Sequence, residues 1–271
     1  MSYVVCEPDG PAAVIIDPVL NYDAPSGRTS TTSADEILAH VKAKRLEVRW
    51  ILDTHTHADH MTAMGYLKRE LGARTAIGQG VAKVQKNFVK LYDIDGEVAA
   101  DGSQFDRLFA DGETFAIGSI EGRVMATPGH TPGCVTYVIG NAAFIGDTMF
   151  MPDSGTARCD FPEGDAGTLY RSIRRILDLP GSTRLFVCHD YQPDGRELAF
   201  EATVAEHRRA NVHIRDGIDE AAFVAMRTAR DATLSAPALI LPAVQVNIRA
   251  GEFPAPDKNG TSYLKIPLNT F

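Results

Sequence analysis

Thr54-His55-Thr56-His57-Ala58-Asp59-His60 places three imidazoles and a carboxylate within seven residues, directly behind the apolar run Val48-Arg49-Trp50-Ile51-Leu52. Trp50-Ile51-Leu52 reads as a buried strand, so the cluster sits on the loop where that strand ends. Such loops are where a rigid scaffold presents its functional side chains. Removing this many polar rings from water for packing alone is costly. Neutral imidazole and carboxylate are instead good donors for zinc, iron and related divalent ions. The arrangement recurs further along. His130 lies in the turn Thr127-Pro128-Gly129-His130-Thr131-Pro132-Gly133 after the strand-like Arg123-Val124-Met125-Ala126. Asp147 follows Ala142-Ala143-Phe144-Ile145-Gly146, and His189 follows Arg184-Leu185-Phe186-Val187-Cys188. His40, His207 and His213 lie in charged, helical contexts and read as solvated surface residues.

Composition bounds the class of protein. A chain of 271 residues can bury a sizeable core. Its net charge of −8, with no Lys/Arg-rich stripe, argues against nucleic acid or an anionic membrane as a partner. Met1-Ser2-Tyr3-Val4-Val5 opens into a strand without the basic and apolar regions of a signal peptide. No apolar stretch reaches transmembrane length, so the expected location is cytoplasmic. Cys6, Cys134, Cys159 and Cys188 show no paired spacing and read as free thiols. Cys159 alone, beside Arg158, is a candidate for a reactive role, because a nearby cation lowers a thiol pKa.

Along the chain, Tyr3-Val4-Val5-Cys6 and Ala13-Val14-Ile15-Ile16 read as strands. Ser33 is placed as N-cap of a helix over Ala34 to Val41, with Glu36 completing a capping box. Helices are expected over Thr62 to Leu71, Val81 to Tyr92, Gly167 to Leu179, Thr203 to Asp216 and Glu220 to Arg230. A short helix is expected around Phe105 to Phe109, and the loop-rich stretch from Asp93 to Gly112 reads as an elaboration packed on the core rather than a lid. There are no internal repeats. The expected organisation is a single catalytic domain over residues 1–271 with a C-terminal extension from about residue 200.

The ordered set His-x-His-x-Asp-His, then His130, Asp147 and His189, is similar to that of the metallo-β-lactamase superfamily, and the chain is identified as a member. The resemblance implies an α/β fold, an αβ/βα sandwich of two mixed β-sheets flanked by helices. Fold and reaction are separable, so further stretches are needed to narrow the activity. Ile16-Asp17-Pro18-Val19-Leu20, Gly155-Thr156-Ala157-Arg158-Cys159-Asp160-Phe161, Cys188-His189-Asp190-Tyr191 and Leu241-Pro242-Ala243-Val244-Gln245-Val246-Asn247-Ile248-Arg249-Ala250-Gly251 supply them. Together they resemble the persulfide dioxygenases, also called sulfur dioxygenases, in their bacterial branch. The resemblance runs from about Ser2 to Gly251. Two departures stand out: members usually have a further strand before Tyr3-Val4-Val5, and Val81 to Phe109 is longer than in human-type members. Either that edge strand is absent or the start codon is misplaced.

The resemblance implies one Fe(II) per chain, held by His55, His130 and Asp147 as metal-binding and catalytic residues. Two imidazoles and one carboxylate leave open positions, the donor set of non-haem Fe(II) oxygenases. It further implies Arg158, Tyr191, Asn247 and Arg249 at the substrate pocket, with Asn247 and Arg249 alternating on a strand-like stretch. The implied substrates are glutathione persulfide, or a related low-molecular-weight persulfide, and O₂, in sulfide detoxification. His57, Asp59, His60 and His189 are also present, either supporting the first ligands or completing a second metal site. The alternative is therefore a dinuclear hydrolase with two Zn(II), a thioesterase of glyoxalase II type. A homodimer, and a functional link to a rhodanese or a sulfide:quinone oxidoreductase, stay open.

Overall fold

Apolar runs separated by Gly, Pro and Asp turns make most of the first 110 residues alternate between strand and helix. The computed structural model describes residues 1–270. Strands β1 (Tyr3–Cys6), β2 (Ala12–Ile16), β3 (Val19–Asp23) and β4 (Arg28–Ser30) precede helix α1 (Thr32–Ala43). Then come β5 (Glu47–Leu52), β6 (Met61–Thr62), α2 (Met64–Leu71), β7 (Arg74–Gly78), α3 (Val81–Tyr92) and β8 (Arg107–Phe109). Strands β9 (Thr114–Ile117), β10 (Ile120–Ala126), β11 (Val135–Ile139) and β12 (Ala142–Phe144) follow, leading to α4 (Ala166–Leu177). The chain ends with β13 (Arg184–Phe186), β14 (Glu201–Thr203), α5 (Val204–Ala210), α6 (Glu220–Asp231) and α7 (Ile240–Asn247). No helix among the described residues is long and apolar enough to cross a membrane.

The chain divides into two compact units. The first holds Ser2–Phe109, Ile117–Ser119 and the stretch from Ser235 onward. Its main sheet has the order β1-β2-β5-β7-β8, with β2, β5, β7 and β8 parallel. Every residue of β2 is buried, as expected of a parallel strand covered on both faces. The loop from Asp53 to His60 leaves the carboxyl end of β5 and returns into β6, which pairs with β3 through Val19 and Thr62. The carboxyl ends of parallel strands are where open α/β sheets place their ligands. Helix α7 closes against this region. Gly251, just past it (φ +85°), approaches so closely that a Cβ would lie 2.7 Å from the Gly65 nitrogen.

The second unit holds Met1, Ala110–Ala116 and Ile120–Leu234. Its strands belong to the sheet of order β14-β13-β12-β11-β10-β9. β10 and β12 are both antiparallel to β11, and β12 is parallel to β13. The carboxyl ends of β10, β12 and β13 therefore share one edge of the sheet. His130, Asp147 and His189 each follow one of those ends. Helices α4 and α6 bury Leu169, Ile173, Ile176 and Phe223 in this unit's core. The side chains of Asp165, Thr203 and Asp219 cap the N-termini of α4, α5 and α6 by accepting backbone N–H bonds.

Several expectations are corrected. Helix α1 starts after Thr31 without a side-chain cap, because Ser33 instead exchanges hydrogen bonds with the Asn21 amide on β3. Arg107–Phe109 is a strand: Asp106 accepts from the Thr75 nitrogen and hydroxyl and pins this segment to β7. The stretch bearing Asn247 is helix α7 and not a strand. Its Val and Ile residues suggested β structure, but most of the helix is buried, and Pro242 sits in the first turn, where its missing N–H costs little. Nor are His207 and His213 both solvated. His207 is fully buried and His213 half-buried, and burial pushes each ring down to about 4.

The two rings are neutral in the folded protein and gain protons on unfolding once the pH drops below their usual value of about 6.5. Stability from this source is complete above that pH and is lost as pH falls toward about 4. In metal-free protein, the urea midpoint is expected to fall between about pH 7 and pH 4.5 and to fall less in His207→Gln. Equal falls in the two proteins would contradict this assignment.

Candidate metal centre

In the first unit the site is built on two aspartates at strand ends. Asp17 follows β2 with φ +51°, a conformation uncommon outside glycine, and its nitrogen donates to the Leu52 carbonyl of β5. Its carboxylate accepts from the Thr54 nitrogen (2.7 Å), the Thr54 hydroxyl (2.9 Å) and His57 Nε2 (3.0 Å). The single hydroxyl proton of Thr54 is thereby committed to Asp17. The contact of 3.0 Å between Thr54 Oγ1 and His55 Nδ1 then requires His55 to donate from Nδ1. His55 consequently presents Nε2 as the nitrogen with the lone pair.

The three imidazoles of this loop pack closely at tilted angles, with ring centroids 4.1 Å apart for His55 and His57 and 4.2 Å for His57 and His60. Burial opposes charge on His57, but Asp17, Asp53 and Asp59 outweigh it and raise the ring to about 9. Burial likewise raises the Asp53 carboxyl to about 7, with Asp17 adding to the effect. His60 is held low by burial and by its charged neighbour His57. His57, Asp59 and His60 each offer a ligand atom within 4.8 Å of the others, and so do Asp17, Asp53 and His57. His57 Nδ1 and His60 Nε2 are buried without a hydrogen-bond partner. Concentrated, desolvated donors of this kind are the chemistry of a cation site.

Asn247, at the end of α7, holds this loop in place. Its amide donates to the His57 and His60 carbonyls and accepts from the Thr62 nitrogen, all at 2.8 Å. Arg249, two residues on, is also buried; it donates to the Gln245 carbonyl and pairs with Glu97 at 2.9 Å.

In the second unit, His130 Nε2 lies 3.7 Å from Asp147 Oδ2 and His189 Nε2 lies 3.4 Å from Asp147 Oδ1. His130 Nδ1 is 2.7 Å from the Arg158 carbonyl, which can only accept, so this ring too carries its proton on Nδ1 and turns Nε2 toward the carboxylate. The turn that presents His130 rests on α4. Gly129 (φ +140°) lies so close that a Cβ would sit 2.3 Å from Leu169 Cα, and Ser172 donates to the Pro128 carbonyl. Phe161 packs edge-on against the His130 ring.

The remaining sequence candidates fall into place around these groups. The Arg158 guanidinium forms a two-pronged pair with Asp160, both contacts at 2.6 Å. Tyr191 is 64% exposed, stacks on His189 and meets Phe150 edge-on. Cys159 is buried, and burial together with Asp231 pushes its thiol up to about 12, which removes the reactive role considered for it. Sequence reasoning missed Asp17 and Asp53 as holders of the histidine loop. The available signal was that each carboxylate directly follows a strand whose last residues are apolar and buried.

The metallo-beta-lactamase superfamily profile matches residues 1–189, and the chain belongs to this superfamily and has its fold. At 55% identity it resembles a probable metallo-hydrolase of Burkholderia pseudomallei, over 99% of this chain and 95% of that protein. It is also 55% identical to Glyoxylase B2 of Dictyostelium discoideum, over 94% and 88%. Human persulfide dioxygenase ETHE1, a mitochondrial protein, is 32% identical over 92% of this chain and 84% of its own length. Among solved structures, ETHE1 from Myxococcus xanthus superposes with a TM-score of 0.73 at 28% identity, covering 93% of this chain and 94% of that one. The chain is therefore that of a metal-binding enzyme of this superfamily.

Asn247→Ala would leave the His57 and His60 carbonyls and the Thr62 nitrogen without their partner in a buried setting. Each such group costs on the order of 1–3 kcal/mol. The expected outcome is a loss of at least about 2 kcal/mol in chemical denaturation, together with weaker metal binding in titration. Unchanged metal affinity would show that Asn247 does not hold the loop in its ligating shape.

Proposed function

We propose that the protein is an iron-dependent persulfide dioxygenase acting on glutathione persulfide or a related low-molecular-weight persulfide. In this reading His55, His130 and Asp147 hold one Fe(II). The observation that carries it is the donor set. Two imidazoles have their Nδ1 protons tied to oxygen partners and present Nε2, and one carboxylate lies beside them, with Asp147 Oδ2 3.7 Å from His130 Nε2 and Oδ1 3.4 Å from His189 Nε2. Two neutral nitrogens and a single carboxylate are the ligands of non-haem Fe(II) oxygenases. Zinc fits the same donors but has no redox chemistry. The similarity to human persulfide dioxygenase ETHE1 across nearly the whole chain supports the same reading.

The reaction is R-S-SH + O₂ + H₂O → R-SH + sulfite + 2 H⁺. Bound iron would supply the activation of O₂ that a closed-shell persulfide lacks by itself. One carboxylate against Fe(II) leaves the centre net positive, which suits an anionic persulfide sulfur. His189, whose Nε2 lies 3.4 Å from Asp147 Oδ1, would stand beside the metal ligands rather than among them. Tyr191 offers a phenol beside His189 where the thiol carrier would enter. Arg158, tied to Asp160, acts in this scheme mainly through its backbone carbonyl.

A second reading, a dinuclear zinc thioesterase of glyoxalase II type, is favoured by the unpartnered His57 Nδ1 and His60 Nε2 and by the likeness to Glyoxylase B2. Anaerobically iron-loaded protein given glutathione persulfide is expected to consume O₂ and form sulfite in equal amounts. An absence of O₂ uptake, with hydrolysis of a glutathione thioester by the zinc-loaded protein, would assign the second reading instead.

A further inference from the structure

Helix α6 carries a buried ion pair, Arg227 with Asp231, that touches none of the candidate ligands. Arg227 is 1% exposed and Asp231 5%. The guanidinium binds Asp231 Oδ1 through Nε at 2.8 Å and through Nη2 at 2.5 Å. A buried ion pair is not in itself a stabilising device, since well-packed apolar residues often serve as well. Its remaining atoms explain its presence better. Arg227 Nη1 donates to the Thr156 carbonyl at 3.1 Å, and Asp231 Oδ2 accepts from the Cys159 nitrogen at 2.9 Å and from the Cys159 thiol at 3.4 Å. The pair thus grips the two ends of the segment that contains Arg158.

The Cys159 N–H and the Arg158 C=O belong to one peptide unit, which is planar and rigid. One end of that plane donates to the Asp231 carboxylate and the other accepts from His130 Nδ1 at 2.7 Å. We infer that Asp231 is a positioning residue for His130, acting through the single Arg158–Cys159 peptide: the carboxylate fixes the orientation of the peptide and polarises it, and the carbonyl in turn holds the imidazole proton on Nδ1. This rests on the reading of His130 as a metal ligand. Metal-bound histidines usually give their second N–H to a carboxylate or a carbonyl. Here a carboxylate acts on the ring through a carbonyl, and successive hydrogen bonds in a chain strengthen one another. The start of the loop is fastened from the same side. Asn211 donates to the Gly155 carbonyl and His213 Nδ1 accepts from the Thr156 nitrogen, so the peptide cannot easily swing away.

The test uses the full-length chain and two variants, Asp231→Asn and the double variant Arg227→Gln/Asp231→Asn. The double variant avoids leaving an uncompensated buried guanidinium, and thermal unfolding identifies which variants are folded. Nitrogen-15 imidazole NMR of the metal-free protein reads the His130 tautomer directly. The native chain is expected to show His130 protonated on Nδ1, and the folded variants a mixture of tautomers. Zn²⁺ titration of the same samples is expected to show binding weaker by about tenfold to a hundredfold. A folded variant with an unchanged His130 tautomer overturns the inference, whatever its stability. Because the tautomer is read without metal, failure of the native chain to bind metal would refute the metal reading separately and leave the tautomer comparison to decide the relay.

Discussion

A neutral imidazole has one lone pair to give, and it points usefully only when the other nitrogen is held as a donor. That constraint organises what surrounds the two histidines assigned to the metal. Thr54 receives the His55 Nδ1 proton because its own proton is committed to Asp17. The Arg158 carbonyl receives the His130 proton because its peptide is held from behind by Asp231. In both cases the orienting oxygen is itself fixed by a buried carboxylate. The cost of burying those carboxylates is met by several hydrogen bonds to each, which is the condition under which buried charge is tolerated.

Strand topology delivers the groups. In the first unit the histidine loop leaves the carboxyl end of β5 in a parallel sheet, flanked by Asp17 at the end of β2. In the second unit, the antiparallel and parallel pairings of β10, β11, β12 and β13 bring three carboxyl ends to one sheet edge. Each of these groups then lies within a few residues of its strand end, and contacts with helices α4, α6 and α7 limit the freedom of the backbone that carries the histidines. Gly129 against Leu169 and Gly251 against Gly65 mark where the backbones approach too closely for any side chain.

Much of this was legible in the sequence because metal chemistry selects few residue types and each of them closely follows a largely apolar strand. The metallo-beta-lactamase fold was read from His55, His57, Asp59, His60, His130, Asp147 and His189 in their order. Less legible was what depends on contacts distant in sequence. The resemblance put Asn247 at the substrate pocket, and nothing in the sequence announces the contacts that folding gives its amide with the His57 and His60 carbonyls. The Val-rich stretch around it has the composition of a strand, yet burial on most sides makes it a helix. His207 looked solvated because its neighbours are charged, while the helix turns that one position inward. Arg158 was read as a substrate contact, and its pairing through Nε and Nη2 with Asp160, two residues on, shows only in the fold.

Within the superfamily, the reaction turns on how many cations the donors hold and of which kind. In the dioxygenase reading His57, tied to Asp17 and favoured in its protonated form by the carboxylates around it, and His189, 3.4 Å from Asp147, would be supporting groups for one iron. Stripped of that proton, the same residues could complete a second site. Metal content therefore tests the account most directly. Protein purified anaerobically and reconstituted with iron and zinc together should contain one iron per chain in mass spectrometric metal analysis, and His189→Ala should retain it. Two zinc ions per chain, one of them lost in His189→Ala, would contradict the account.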